Sequence, residues 1–307
     1  MTSKENSVLS SCNICPRECK VNRQMNQTGY CGMTNDIKLA LAYLHLWEEP
    51  CISGKSGSGT VFFSGCSMKC VFCQNSKIAM GDTGVKVEPK RLVEIYFELQ
   101  EKGANNINLV TPSHYIFQIR ESIIEAKRQG LKIPFVYNTS SYEKKDYLAL
   151  LNGLIDIYLP DMKYFDTNLA KKYSNAPDYF EIAKDAIDEM VRQRGQAEFL
   201  ENGLIKSGVI VRHMILPGHT KDSMKILEYL YHKYGDKIYI SIMNQYTPWE
   251  GLDDKKYPEL LRKITKREYN KVIDYCLDMG LTNGFIQEGD TAKESFIPDF
   301  NLEGVLK

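Results

Sequence analysis

No stretch of this chain carries the apolar run needed to cross a bilayer, no repeat or low-complexity segment interrupts it, and its formal charges cancel to zero. The first absence speaks against a membrane-spanning protein. The second speaks against a solenoid or a disordered tail. The third removes any field-driven attraction to nucleic acid or to an anionic membrane surface. The opening residues, Met1 to Ser7, also lack the apolar core of a secretory signal, so a cytoplasmic setting is expected.

What remains is an ordinary globular composition, 43% hydrophobic and 25% charged over 307 residues, with nine cysteines. The length suits one catalytic domain of α/β-barrel size with a small appendage. In a reducing compartment, clustered cysteines point to metal ligation rather than to disulfides.

Seven of the nine fall in two groups. Cys66, Cys70 and Cys73 form a C-x3-C-x2-C loop directly after an apolar stretch. Three thiolates at this spacing suit a four-iron cluster while leaving one iron open, which is the arrangement a catalytic cluster requires. A structural zinc would want a fourth ligand and usually shows paired C-x2-C knuckles. Cys12, Cys15, Cys19 and Cys31 make a second group, C-x2-C-x3-C-x11-C, with Gly29 and Gly32 flanking the last member. Four thiolates close a site completely, and ligand type alone leaves zinc and an auxiliary [4Fe-4S] cluster equally open. Of the other two, Cys276 sits in an apolar helical pattern and is expected in the core, while Cys51 stands alone in a turn-rich stretch.

Beyond the cysteines, short β-branched or aromatic runs at 60–64, 106–111, 135–138, 156–159, 209–216, 238–243 and 284–287 predict strands. Amphipathic periodicity predicts helices at 89–101, 118–129, 179–194, 221–233 and 266–279. The alternation argues for parallel βαβ units, with the polar stretch 195–207 as an insertion. Gly54-Lys55-Ser56 is not a phosphate loop, because Glu49 occupies the position of its first glycine. The basic run 255–271 carries interleaved acids and reads as a solvated face.

The cluster loop, with Phe72 before its third cysteine, resembles the signature of the radical S-adenosylmethionine (SAM) enzymes. That resemblance implies a partial (β/α)6 barrel at residues 56–307, preceded by a Cys-rich metal-binding module at 1–55. It further implies a [4Fe-4S] cluster on Cys66, Cys70 and Cys73, SAM bound at the open iron, and reductive cleavage of SAM to a 5′-deoxyadenosyl radical. By the same resemblance Phe72 packs near the adenine.

Asp161-Met162-Lys163 is similar to the Asp-x-Lys element of glycyl-radical-enzyme activating enzymes, which makes Lys163 the partner of the SAM carboxylate and Asp161 a cation or orienting ligand; a surface ion pair is the plainer alternative. Asn138 stands where pyruvate formate-lyase activating enzymes carry an aspartate. The Gly-Gly-Glu element that receives the SAM amine in the family is absent, and Thr111, Ser113 and His114 occupy its place as candidate donors. His219, after a Pro-Gly turn, either reaches the site or lies on the surface.

Together with Trp47-Glu48-Glu49-Pro50, Asn244-Gln245-Tyr246 and Pro298-Asp299-Phe300, these motifs resemble the PflX-type branch, near the pyruvate formate-lyase activating enzymes. The resemblance implies an electron donor such as a flavodoxin or ferredoxin, and a substrate hydrogen taken from the glycine of a partner protein. A peptide or a small metabolite is the alternative substrate. A non-catalytic Fe–S electron carrier or scaffold is the alternative of another class, although such carriers close every iron with protein ligands.

Overall fold

The computed structural model describes residues 2–249, 251–287 and 298–307. Among these residues ten strands build one open sheet. Six parallel strands form its centre: β2 (Ser58–Phe63), β4 (Ile107–Val110), β5 (Phe135–Thr139), β6 (Ile157–Pro160), β8 (Ile205–Met214) and β9 (Tyr239–Met243). The short β10 (Gly284–Ile286) adds parallel to β9. On the other side β1 (Ile37–His45) pairs antiparallel with β2, and β3 (Val85–Val87) pairs antiparallel with β1. A two-residue strand, β7 (Glu198–Phe199), folds back on β8 as a hairpin within the polar stretch 195–207.

The parallel order β2-β4-β5-β6-β8-β9 without closure is the partial barrel expected from the sequence. β2, β4, β5 and β6 are buried along their whole length, as strands covered on both faces must be. Helices Pro89–Glu101, Ile116–Arg128, Tyr179–Arg194, Thr220–Tyr234 and Lys266–Asp278 follow the strands and turn their apolar stripes inward. No described helix is long and apolar enough to cross a membrane.

The N-terminal residues pack directly on this frame. Arg17, between Cys15 and Cys19, donates from Nε to the Ser67 carbonyl at 2.8 Å and from Nη2 to the Ser174 carbonyl at 2.9 Å, while its guanidinium lies 4.0 Å from the centre of the Tyr30 ring. β1, which falls inside the 1–55 stretch, belongs to the main sheet. Cys276 is buried at 1% exposure, in the core as its helical pattern implied.

Candidate active site

The loop after β2 makes a sharp turn that only glycine accommodates. Gly65 has φ +88°, and a Cβ there would stand 2.4 Å from Met33 Cγ and 2.8 Å from the Cys31 carbonyl oxygen. Cys66, Cys70 and Cys73 follow, all free thiols. The Met68 amide donates to Cys66 Sγ at 3.3 Å, and the Ser174 hydroxyl donates to Cys70 Sγ at 2.9 Å. Burial pushes the Cys73 thiol up to about 12, with Cys70 and Cys66 adding to the shift and Lys163 opposing it. Such crowded thiols become thiolates only when a cation neutralises them, so the donor set fits a cluster held by three sulfurs. Phe72 is buried among Tyr164, Tyr173 and Tyr246, which meet it edge-on at centroid distances of 6.2, 6.2 and 6.4 Å.

The three cysteines, Phe72, Thr111, Asn138, Asp161 and Lys163 line one cavity of about 240 Å³ at the carboxyl ends of the parallel strands, the end of an α/β barrel where function concentrates. Glu48, His45 and Arg212 share its wall. Because β1 runs antiparallel to β2, the segment after His45 enters the lumen from the opposite end, and Glu48 reaches up among the strand side chains.

A continuous ion network results. Arg212 donates from Nε to Asp161 Oδ1 at 3.0 Å, from Nη1 to Glu48 Oε2 at 3.2 Å and from Nη2 to Asn138 Oδ1 at 2.7 Å. Lys163 Nζ donates to Asp161 Oδ2 at 2.6 Å. Asn108 Nδ2 donates to Glu48 Oε1 at 3.0 Å.

Burial raises the Asp161 carboxyl, but Lys163 and Arg212 beside its two oxygens outweigh that and hold it below the usual range. For Glu48 burial wins over Arg212, and its carboxyl is pushed up. Lys163, though buried, stays above its ordinary value because Asp161 and the Cys70 sulfur favour its charge. The cavity therefore keeps a fixed ammonium beside the cysteine sulfurs, as a carboxylate-bearing ligand needs.

Thr111 closes β4 with φ +58°, an unfavourable backbone for a β-branched residue, fixed by its amide donating to the Asn138 carbonyl at 2.9 Å. Three of the residues singled out in the sequence do not line the cavity. His114 is fully buried, its Nε2 2.8 Å from the Ser64 carbonyl and its ring 4.3 Å from that of Tyr115. Ser113 lies in the same buried turn. His219 turns to Tyr173, whose hydroxyl lies 2.7 Å from its Nε2. Both histidines follow strand ends in sequence, but competing hydrogen bonds draw their rings away from the lumen.

Sequence reasoning missed Glu48 and Arg212 as site residues, although Glu48 stands in a motif that carried the family resemblance. It also missed Ser174, for which the sequence holds no signal.

Cys12, Cys15, Cys19 and Cys31 lie off the cavity, within electrostatic reach of one another. Among the described residues no three His, Cys, Asp or Glu side chains are drawn together as a single-ion site, which is as true of the cluster loop as of these four.

The family model of the radical SAM superfamily matches residues 60–230, more than half of the chain. This chain belongs to the radical SAM superfamily. Membership implies a [4Fe-4S] cluster and SAM binding, and it supports an enzyme.

An uncharacterized protein of Methanocaldococcus jannaschii, MJ0674, is 28% identical over 288 residues, covering 89% of this chain and 77% of that protein. Among solved structures, Streptococcus suis SuiB bound to precursor peptide SuiA matches at 14% identity and a TM-score of 0.49, covering 73% of this chain. This chain spans 47% of SuiB's length, about half. A domain of the pyruvate-formate lyase-activating enzyme from Bacteroides vulgatus matches at 14% identity and a TM-score of 0.39, covering 57% of this chain and 92% of that domain. At such scores these two likenesses carry no argument beyond the family match.

Proposed function

We propose that this radical SAM protein is a PflX-type enzyme that cleaves SAM in the cavity beneath the cluster loop and uses the resulting radical to take a hydrogen atom from a glycine of a partner glycyl radical enzyme. The observation that carries the reading is the convergence of Cys66, Cys70, Cys73 and Lys163 on one wall. Bound by the three cysteines, a four-iron cluster would pass one electron to the sulfonium of SAM, breaking a carbon–sulfur bond to give methionine and a 5′-deoxyadenosyl radical. Lys163, held by Asp161, would meet the carboxylate of SAM. Arg212 would fix Asp161 and Asn138 in place through its three-way bonding. Phe72 and its tyrosine box would give the adenine an apolar wall. Cys12, Cys15, Cys19 and Cys31 would hold a second metal, zinc or an auxiliary cluster, and a flavodoxin or ferredoxin would supply the electron.

The test is isotopic. Reduced enzyme and SAM are incubated with a glycyl radical enzyme whose glycines carry deuterium at the α-carbon. Deuterium in the deoxyadenosine, together with a glycyl radical signal in electron paramagnetic resonance (EPR), is the expected result. Deoxyadenosine without deuterium would move the substrate to a peptide or a small metabolite.

A further inference from the structure

Arg23 is a cation buried without a carboxylate. It is 1% exposed. Nε and Nη2 donate to the Thr34 carbonyl at 3.1 and 2.5 Å, and Nη1 donates to the His114 carbonyl at 2.5 Å. Among the described residues no Asp or Glu pairs with it. Carbonyl oxygens satisfy its donors but do not cancel its charge, and an uncompensated buried guanidinium is strongly unfavourable. The Thr34 carbonyl that holds it stands three residues beyond Cys31, and its guanidinium lies 5.6 Å from the centre of the Tyr115 ring.

Around Cys31 the chain is shaped for sulfur. The Tyr30 amide donates to Cys19 Sγ at 3.2 Å. Gly29 leaves the space these groups need, since a Cβ there would lie 2.7 Å from both Cβ and Sγ of Cys19. The loop returns on itself through the Lys20 amide to the Cys12 carbonyl and the Glu18 amide to the Cys15 carbonyl, at 2.9 and 3.1 Å. Amide donors aimed at sulfur are of little use to neutral thiols and stabilise thiolates.

We propose that Cys12, Cys15, Cys19 and Cys31 bind metal as four thiolates and that Arg23 is the built-in counter-charge of that centre. This deepens the second-metal reading above. Four thiolates around either Zn²⁺ or a doubly charged four-iron core form a net anion, which matches the buried guanidinium; four neutral thiols would leave it unmatched. The centre abuts the catalytic loop, because Cys31 packs against Gly65 and Arg17 bonds to Ser67.

The experiment uses the full-length Cys66→Ala/Cys70→Ala/Cys73→Ala variant, which removes the cavity thiols and leaves the N-terminal ones intact, purified anaerobically with zinc, iron and sulfide supplied. The expected result is retained metal, either about one zinc per chain or about four irons with matching sulfide, with the four N-terminal thiols protected from iodoacetamide until the metal is stripped. The two metal counts distinguish the occupants. A folded variant with no stoichiometric metal and four reactive thiols would overturn the site. Should that variant not fold, metal bound by the wild-type protein in excess of the four irons of one cluster is the measurement, and its absence overturns the site equally.

In the same background Arg23→Met should lose metal to a chelator about tenfold more readily, and Arg23→Lys should restore most of the retention; unchanged retention in Arg23→Met would overturn the counter-charge. None of these readouts depends on SAM cleavage, so failure here and failure of the proposed enzymatic function are separable.

Discussion

Ser174 places its hydroxyl 2.9 Å from the sulfur of Cys70, across 104 residues of sequence, and both groups are buried. The hydroxyl of Tyr164 stands 2.7 Å behind it, so the serine can receive one hydrogen bond while giving the other to sulfur. A hydrogen bond to a ligating sulfur stabilises the more negative, reduced cluster and raises its potential.

Removing that bond should therefore make the cluster harder to reduce. Ser174→Ala is expected to weaken reduction about tenfold, a fall of about 59 mV for a one-electron couple, while Ser174→Thr, which keeps the hydroxyl, restores most of it. A potentiometric EPR titration reads the shift. An unchanged potential in Ser174→Ala would show that the hydroxyl does not act on the cluster.

Asp161 accepts from Lys163 on one oxygen and from Arg212 on the other, with all three side chains largely buried. Asp161→Asn leaves two cations facing a neutral amide. Removing one partner of a buried pair costs about 3 to 5 kcal/mol, and urea unfolding of the variant should show a loss of that order. A loss below about 1 kcal/mol would mean that water already screens the network as it does at exposed pairs.

Glu143 is buried beside the cavity residue Thr139, whose hydroxyl donates to it, and it also accepts from the Tyr137 hydroxyl at 2.8 Å. Burial lifts its carboxyl to about 7, against the opposing pull of Thr139 and Tyr137. A carboxyl raised in the folded state stabilises the fold fully below its unfolded value near 4.3, and that contribution is lost as pH rises through about 7. The shift corresponds to roughly 3 kcal/mol. Thermal melting from pH 5 to 8 should show wild-type stability falling across this window relative to Glu143→Gln. Parallel profiles for the two proteins would place the ionisation of Glu143 elsewhere.

The parallel strands were legible because they are short runs rich in β-branched or aromatic residues, and β2, β4, β5 and β6 are buried on both faces. β1 was not, since it lies inside the stretch assigned to the cysteine module and its pairing with β2 depends on the tertiary register. The cysteine loop was legible because its three cysteines are neighbours in sequence.

Glu48 and Arg212 meet across 164 residues, a distance that no local pattern encodes. The expectation for His114 and His219 rested on their place after strand ends, and it missed the Ser64 carbonyl and the Tyr173 hydroxyl that hold their rings elsewhere. Ser174 ends the helix Thr167–Ser174, an element whose Asp166 cap was present in the sequence but whose placement against Cys70 follows from packing alone.

The most direct test of the account is the formation of 5′-deoxyadenosine by the anaerobically reconstituted, reduced protein supplied with SAM. Deoxyadenosine is expected from the wild-type chain and none from Cys66→Ala, Cys70→Ala or Cys73→Ala. A wild-type protein that holds a reduced four-iron cluster on these cysteines and leaves SAM intact would contradict it and favour an electron-transfer or scaffold role.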